Sequence, residues 1–281
     1  MSQKSYDGTS TLYIVPTPIG NLDDMTFRAI NVLKEVDVIF SEDTRITRNL
    51  LNHFEIKKHL VSLYKFNEHE SSLKMIEYLK DGKNVALVSD RGTPILSDPG
   101  NLCTKRIIEY GYNVVSLPGA TAAIPALTSS GLDASRFLFY GFLNSKSSQR
   151  MKELENLKKI RYTIIFYEAP HRILSMLNDL YTVFKDRNIS ISREISKKYE
   201  EIYRGNLKSI IEEIGEPKGE YVIVVSGNDE IESYDNISII EHVKLYIEEG
   251  YSEKDAIKLV AKDRNIPKNE VYKEVKLFPG K

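Results

Sequence analysis

Residues 85–100 read VALVSDRGTPILSDPG, and this stretch limits what the chain can fold into more than any other. Val85-Ala86-Leu87-Val88 has the length and composition of a strand buried on both faces. Ser89-Asp90-Arg91-Gly92-Thr93-Pro94 can hardly continue a strand or a helix. A buried strand that opens into a Gly/Pro loop rich in side-chain oxygens is how open α/β sheets place ligands at the carboxyl ends of their strands. A second break at Ser97-Asp98-Pro99-Gly100 follows at once and starts a helix.

The segments before and after repeat the theme. Leu12 to Val15, Asp37 to Phe40 and Asn113 to Leu117 read as strands. Asp23 to Lys34, with Ala29, Ile30, Leu33 and Phe27 toward one side, reads as a helix, as do Thr44 to Phe54, Ser71 to Lys80 and Leu102 to Glu109. Strands alternating with helices predict a largely parallel sheet. After Pro118-Gly119 a second α/β unit begins. Its expected strands are Phe137 to Tyr140, Tyr162 to Tyr167, Ile189 to Ser192 and Tyr221 to Val225. Its expected helices are Ala120 to Ser129, Gln149 to Lys159, Arg172 to Phe184 and Leu207 to Ile214. Residues 228–236 are polar and acidic and read as a linker.

Beyond the linker the pattern is wholly helical. Ile239, Ile240, Val243 and Ile247 are expected to share one face. Ser252 is an N-cap with Asp255 at the capping-box position. Ala256, Leu259 and Val260 follow on one face, and the turn around Arg264 to Pro267 resembles a helix-turn-helix. The fold class is therefore α/β: two α/β domains, 11–118 and 119–228, plus a C-terminal helical module, 237–281.

Bulk properties narrow the function. The formal net charge of the 281 residues is -1, so any nucleic-acid site must be a local patch. The single cysteine, Cys103, excludes an intramolecular disulfide and a cysteine-cluster metal site. The polar start, with no apolar core of a signal peptide, and the absence of a long apolar run predict a cytoplasmic protein with no membrane span.

Five clusters lie just past predicted strands, and each has a bland reading beside the chemical one. Thr17-Pro18-Ile19-Gly20-Asn21 either brings backbone close to a ligand or is a simple strand-to-helix turn. It is not a GxGxxG dinucleotide fingerprint. Asp43 in Ser41-Glu42-Asp43-Thr44-Arg45 reads as a helix cap, while Glu42 is left open between capping and chemistry. Small residues in Pro118-Gly119-Ala120-Thr121-Ala122 let a flat ring lie on backbone, or allow close packing of helix on strand. Tyr167-Glu168-Ala169-Pro170-His171-Arg172 suits acid/base work or phosphate binding. Arg193-Glu194-Ile195-Ser196-Lys197 carries both signs of charge at a strand end. Their shared position favours one composite site.

In order, LYIVPTPIGNLDD, SEDTR, ALVSDRGTPILSDPG, SLPGATAA, FYEAPHR and REISK resemble the RsmI-type 16S rRNA ribose 2′-O-methyltransferases of the tetrapyrrole-methylase superfamily. The resemblance runs from about Leu12 to Gly227 and continues in the helical tail. It implies S-adenosylmethionine in a cleft between two α/β domains, a homodimer, and methylation of a cytidine ribose in the decoding region of 16S rRNA in the 30S subunit. Carried onto this chain, it makes Pro18, Ser89, Asp90, Gly92, Thr93, Thr121, Ala122, Tyr167 and Glu168 the expected cofactor wall. Asn21, Arg45, His171 and Arg172 fall on the RNA side. Glu42, Asp90 and Glu194 are the carboxylates from which a base would come, with no choice among them, and no metal is required.

Arg91 stands where family members usually have Ala. Its guanidinium is expected to point out of the cleft toward an RNA phosphate, since a cation facing a sulfonium is repelled. Two readings compete. A methylase of a small tetrapyrrole would need no RNA-binding tail, and the Lys254, Lys258, Lys262, Arg264 and Lys268 tail argues against it. A non-catalytic RNA-binding factor would not need the loop Ser89 to Thr93.

Overall fold

The computed structural model describes residues 3–5, 7–228, 237–248, 250–264 and 266–277. Apart from Asn228, the expected linker lies outside the described residues. The chain forms two compact units, Met1–Gly227 and Asn228–Lys281.

The first unit holds two five-stranded sheets. Strands β1 (Thr11–Ile14), β2 (Val38–Ser41), β3 (His59–Ser62), β4 (Val85–Val88) and β5 (Asn113–Ser116) build the first, in the order β3-β2-β4-β1-β5. Every neighbouring pair in it is parallel. Helices α1 (Phe27–Glu35), α2 (Thr44–His53), α3 (Glu68–Lys80) and α4 (Asn101–Glu109) connect its strands. Side chains alternate across the pleat. Leu12, Val38, Phe40, Val85 and Leu87 pack with Met75, Leu79 and Ile107, whereas Ile39, Ala86 and Val88 pack with Leu33 and Leu51. All four residues of β4 are buried, as expected of a central parallel strand.

The second sheet, from β6 (Phe137–Phe142), β7 (Thr163–Glu168), β8 (Asn188–Arg193), β9 (Glu201–Asn206) and β10 (Tyr221–Val225), runs β6-β7-β10-β8-β9. Unlike the first sheet, it is mixed. β6 and β7 are parallel, but β7–β10, β10–β8 and β8–β9 are antiparallel. The reason is local: residues 194–200 form no helix, so β8 and β9 make a hairpin instead of a crossover. Helices α5 (Ala123–Ser130), α6 (Ser147–Leu157), α7 (Ile173–Phe184) and α8 (Leu207–Glu213) complete this part. Buried Arg150 joins α6 to α7. It donates to the Asp179 carboxylate at 2.7 Å, to the Ser175 hydroxyl at 2.7 Å, and to the carbonyls of Asn144 and Ser145.

Helix α1 begins later than expected, because the Thr26 hydroxyl caps it by accepting from the Ala29 amide at 3.1 Å. Residues 22–24 form a separate turn. Phe27, expected beside the apolar face, is 87% exposed.

In the second unit α9 (Ile239–Glu248), α10 (Glu253–Asp263) and α11 (Lys268–Leu277) enclose Val243, Ala256, Ile257, Val260 and Val271. Ser252 caps α10 by accepting from the Asp255 amide, as the sequence predicts. The buried face of α9 is rotated from the expected stripe. His242 and Val243 are buried with Tyr246 beside them, and Ile247 is exposed. Residues 239, 242, 243 and 246 are spaced as one helical face, and 247 falls past its edge. Arg264 is not a free cation for RNA: its guanidinium donates to the Ile237 carbonyl at 2.7 Å and to His242 Nδ1 at 3.2 Å. No helix among the described residues is long and apolar enough to cross a membrane.

Candidate active site

Three loops that leave the carboxyl ends of β1, β2 and β4 are stitched together. Thr17 and Gly92 exchange two backbone hydrogen bonds, at 2.9 and 3.0 Å. The Thr17 hydroxyl donates to the Ser89 carbonyl, and the Asp43 amide donates to Asp90 Oδ1 at 2.9 Å. The Thr93 hydroxyl reaches the Ala120 carbonyl, which adds the loop after β5. Gly92 has φ +76°, and a Cβ there would press Ile19 at 3.2 Å, so glycine is required where the two loops cross. Farther on, Ile95 (φ 78°) and Ser97 (φ 70°) also lie in the left-handed region. For a β-branched residue this is a strained conformation, of a kind concentrated at functional sites.

This loop assembly faces the second sheet across a cavity of about 440 Å³, within the size range of small-molecule sites. The first-sheet loops contribute Ile19, Arg91, Gly92, Thr93, Ser97 and Asp98 to its wall. Thr121 and Ala122 stand at the start of α5. Phe142, Tyr167, Glu168 and Tyr221 come from the second sheet. Six expected cofactor residues thus meet here: Gly92, Thr93, Thr121, Ala122, Tyr167 and Glu168. Pro18, Ser89 and Asp90 line a second cavity of about 390 Å³ instead, together with Ile46, Asn49 and His53 of α2. Arg91 lines both.

The acidic groups differ sharply. Glu168 is buried. Its Oε1 accepts from the Ala169 amide at 2.8 Å, and its Oε2 makes no hydrogen bond but stands 3.1 Å from Arg172 as an ion pair. Burial raises its carboxyl above the ordinary value, against the pull of the Ala169 amide and Arg172. Burial, Asp90 and Asp43, in that order, raise Glu42, which lines neither cavity. Asp98 is the most perturbed: burial, then Glu42 and Asp90, push it up to about 6 against a hydrogen bond from Ser89. The Tyr167 phenol is raised by its burial, despite hydrogen bonds with Thr121 and the Ala123 amide.

Several expected residues do other work. Glu194 (φ 53°) accepts from Lys197 at 2.8 Å and from the Glu220 amide at 3.0 Å. Burial alone would raise its carboxyl, but these bonds outweigh it and the net shift is downward, which unsuits it for a base. Arg172 donates to the Leu143 carbonyl at 2.8 Å and pairs with Glu168, so it braces the second sheet and is not free for RNA. Asn21 caps the turn at 22–24, and Arg45 is paired with Asp43 at 2.6 Å on the surface. His171 is exposed on the turn after β7.

Arg91 departs most from expectation. It does not point away from the cleft but crosses it to pair with Glu220, just before β10. Lys197 also reaches Glu220, at 2.9 Å, and its stem lies so close to Gly20 that a Cβ there would overlap it. The Ser196 hydroxyl donates to Asp24. Charge of both signs after β8 thus clasps the loop after β1 and the loop after β4. The repulsion anticipated between Arg91 and a cation in the cleft is offset by Glu220.

Sequence reasoning passed over Asp98 and Phe142. Asp98 sits in a Ser-Asp-Pro-Gly run and reads as turn punctuation; the second break so soon after the first was the available signal. Gly219-Glu220 before the last strand is only a weak sign of backbone contact with a ligand, and nothing in the sequence points to Arg91, 129 residues away, as the partner of Glu220.

Comparison with known proteins agrees with this arrangement. Residues 11–211 match the family model of tetrapyrrole (corrin/porphyrin) methylases. A Bacillus subtilis protein named ribosomal RNA small subunit methyltransferase I is 49% identical over 96% of both chains. Its namesake from Halalkalibacterium halodurans is 44% identical over 96% of this chain and 97% of that one. Among solved structures, a uroporphyrin-III C-methyltransferase from Thermus thermophilus, in complex with S-adenosyl homocysteine, aligns with a TM-score of 0.56 at 18% identity. That alignment covers 77% of this chain and 97% of the other, and shows a shared fold. A diphthine synthase aligns with a TM-score of 0.59 at 17% identity, over 78% and 90% of the two chains. Two sheets meeting at strand-end loops, in a chain this close to its relatives along nearly its whole length, make this protein a member of the tetrapyrrole methylase family and of its small-subunit rRNA methyltransferase I branch.

Proposed function

We propose that this chain methylates the ribose 2′-oxygen of a cytidine in the decoding region of 16S rRNA, with S-adenosylmethionine as donor. The observation that carries the reading is the cavity between the two sheets, walled by Gly92, Thr93, Thr121, Ala122, Tyr167 and Glu168. The donor's chemistry fits these residues. A flat ring needs small side chains and backbone, which Gly92, Thr121 and Ala122 supply. A cationic ligand is favoured by the aromatic faces on the wall. Tyr167 and Phe142 stand edge to face 5.7 Å apart on that wall.

S-adenosylmethionine supplies an already activated methyl group, so the protein's main task is alignment. Backbone stitching of the loops at Thr17 and Gly92, with Asp90 Oδ1 accepting from the Asp43 amide, holds their positions. The Arg91–Glu220 pair, the Lys197 stem against Gly20 and the Ser196 hydroxyl on Asp24 fix the second sheet against them. The adjoining cavity, with Pro18, Ser89, Asp90 and Arg91, opens on the same loop and suits an unstacked nucleotide. Glu42 and Asp90 keep the strand ends acidic, and His171 and Arg45 offer surface contacts to RNA. We further propose that residues 11–118 and 119–228 act as separate domains, that the protein works in the cytoplasm as a homodimer without a metal, and that 237–281 assists RNA binding.

Tritiated methyl transfer to 30S subunits and to naked 16S rRNA, with the modified nucleotide mapped, tests the reading. One methyl group on a cytidine 2′-oxygen is expected. A methylated base, or methyl transfer to a tetrapyrrole with none to RNA, would overturn it. The clasp makes a separate prediction. Arg91→Ala should weaken S-adenosylmethionine binding, because it removes the pair that ties the loop after β4 to the second sheet across the cavity. Calorimetry showing unchanged cofactor affinity and weakened RNA affinity would return Arg91 to the RNA side.

A further inference from the structure

Three carboxylates line the larger cavity: Asp98, Glu168 and Glu220. Glu220 is paired with Arg91 and Lys197, and Glu168 with Arg172. Among the described residues no cation pairs with Asp98. It projects from the strained segment after Gly92, directly following Ser97, whose hydroxyl lies against Gly141 of the second sheet. The groups that bear on it come from both sides of the cleft. Glu42 follows β2, Asp90 follows β4, and Tyr167 stands on β7. Only the Ser89 hydroxyl supports its charged form.

Resting on the reading of this site as a ribose methyltransferase, we propose that Asp98 is the general base. Its carboxylate takes the proton of the 2′-hydroxyl as the oxygen–methyl bond forms. The bond from the methyl carbon to the sulfonium sulfur breaks, and its electron pair stays on sulfur. The products are the methyl ether, a neutral thioether and protonated Asp98, which returns its proton to water. A ribose hydroxyl is a poor nucleophile, and a base that titrates near working pH combines availability with driving force. The other cavity carboxylates are held by cations, and Glu194 is stabilised in its charged form.

The tests use the full chain. Asp98→Asn should lower single-turnover methyl transfer to 30S subunits by roughly 10²–10⁴-fold. Its S-adenosylmethionine affinity, by calorimetry, should stay within a few-fold of the parent. In the parent the rate should rise with pH through about 6 and then level; in Asp98→Asn the residual rate should lack this rise. A second readout needs no ligand. A carboxyl raised on folding destabilises the native state as pH climbs from the ordinary value of 3.8 through about 6, and this penalty is absent below that window. Asp98→Asn should therefore melt higher than the parent by a few degrees at pH 8, with the difference gone near pH 4.

Near-parental transfer by Asp98→Asn, or loss of cofactor binding with normal transfer at saturating donor, would overturn the proposal. Should the Asn variant not fold, Asp98→Glu decides. It must keep a pH-dependent rate, and a flat profile in both it and the parent refutes the base. A parent that modifies no RNA would defeat the functional reading itself, while the ligand-free melting comparison would still show whether Asp98 carries an uncompensated charge.

Discussion

Ala122→Trp should abolish measurable S-adenosylmethionine binding, with affinity falling at least about a hundredfold, or about 2.7 kcal/mol. Ala122 precedes α5 with helical backbone angles (φ -77°, ψ -29°), which tryptophan adopts without strain. It lines the larger cavity together with Tyr167 and Phe142, and is only partly buried. An indole there occupies space that the cofactor needs, and open volume on the cavity side spares the core. Melting temperature should therefore change little. Calorimetric titration of cofactor into the variant, with a thermal melt on the same sample, checks both halves. A folded Trp variant that binds like the parent would place the cofactor elsewhere.

The strands of the first sheet were legible because β1, β2, β4 and β5 are apolar runs at regular spacing. The two strands that escaped notice share a cause. His59–Ser62 is exposed at both ends, and Glu201–Asn206 is polar along much of its length; both are edge strands, paired on one side only. An edge strand carries little apolar pattern, so its existence is decided by the neighbour it pairs with. The direction of the second sheet was hidden for a similar reason. The seven residues between β8 and β9 decide hairpin against crossover, and a mixed-charge segment gives no sign of either.

The site divides along comparable lines. Backbone-shaping residues such as Gly92, Thr121 and Ala122 were readable, since glycine and small side chains announce close approach. Charged residues were readable as a cluster but not in their roles. Arg172, Glu194 and Arg91 were expected to meet a ligand, and each meets another side chain of the chain itself. Charge in a sequence does not reveal its partner when that partner is brought by the fold. Asp98 is the reverse case, a residue of ordinary turn composition that no cation among the described residues pairs with.

Arg150→Ala should be among the most destabilising single changes in the chain, costing about 3–5 kcal/mol. The guanidinium is 1% exposed and every arm of it is engaged: Asp179 and Ser175 on α7, and the carbonyls of Asn144 and Ser145 before α6. Truncation leaves the mostly buried Asp179 carboxylate with the Ser147 hydroxyl as its remaining support, and strands two carbonyls without donors. At about 2–4 °C per kcal/mol, the melting temperature should drop by roughly 10 °C. The double change Arg150→Met with Asp179→Asn should recover part of the loss, because it removes the unpaired charge and refills the space. Denaturant titration of the two variants measures the difference. If the double variant is no more stable than Arg150→Ala, the stranded carboxylate is not the cause, and the cost lies in the two carbonyls that shape the loop between β6 and α6.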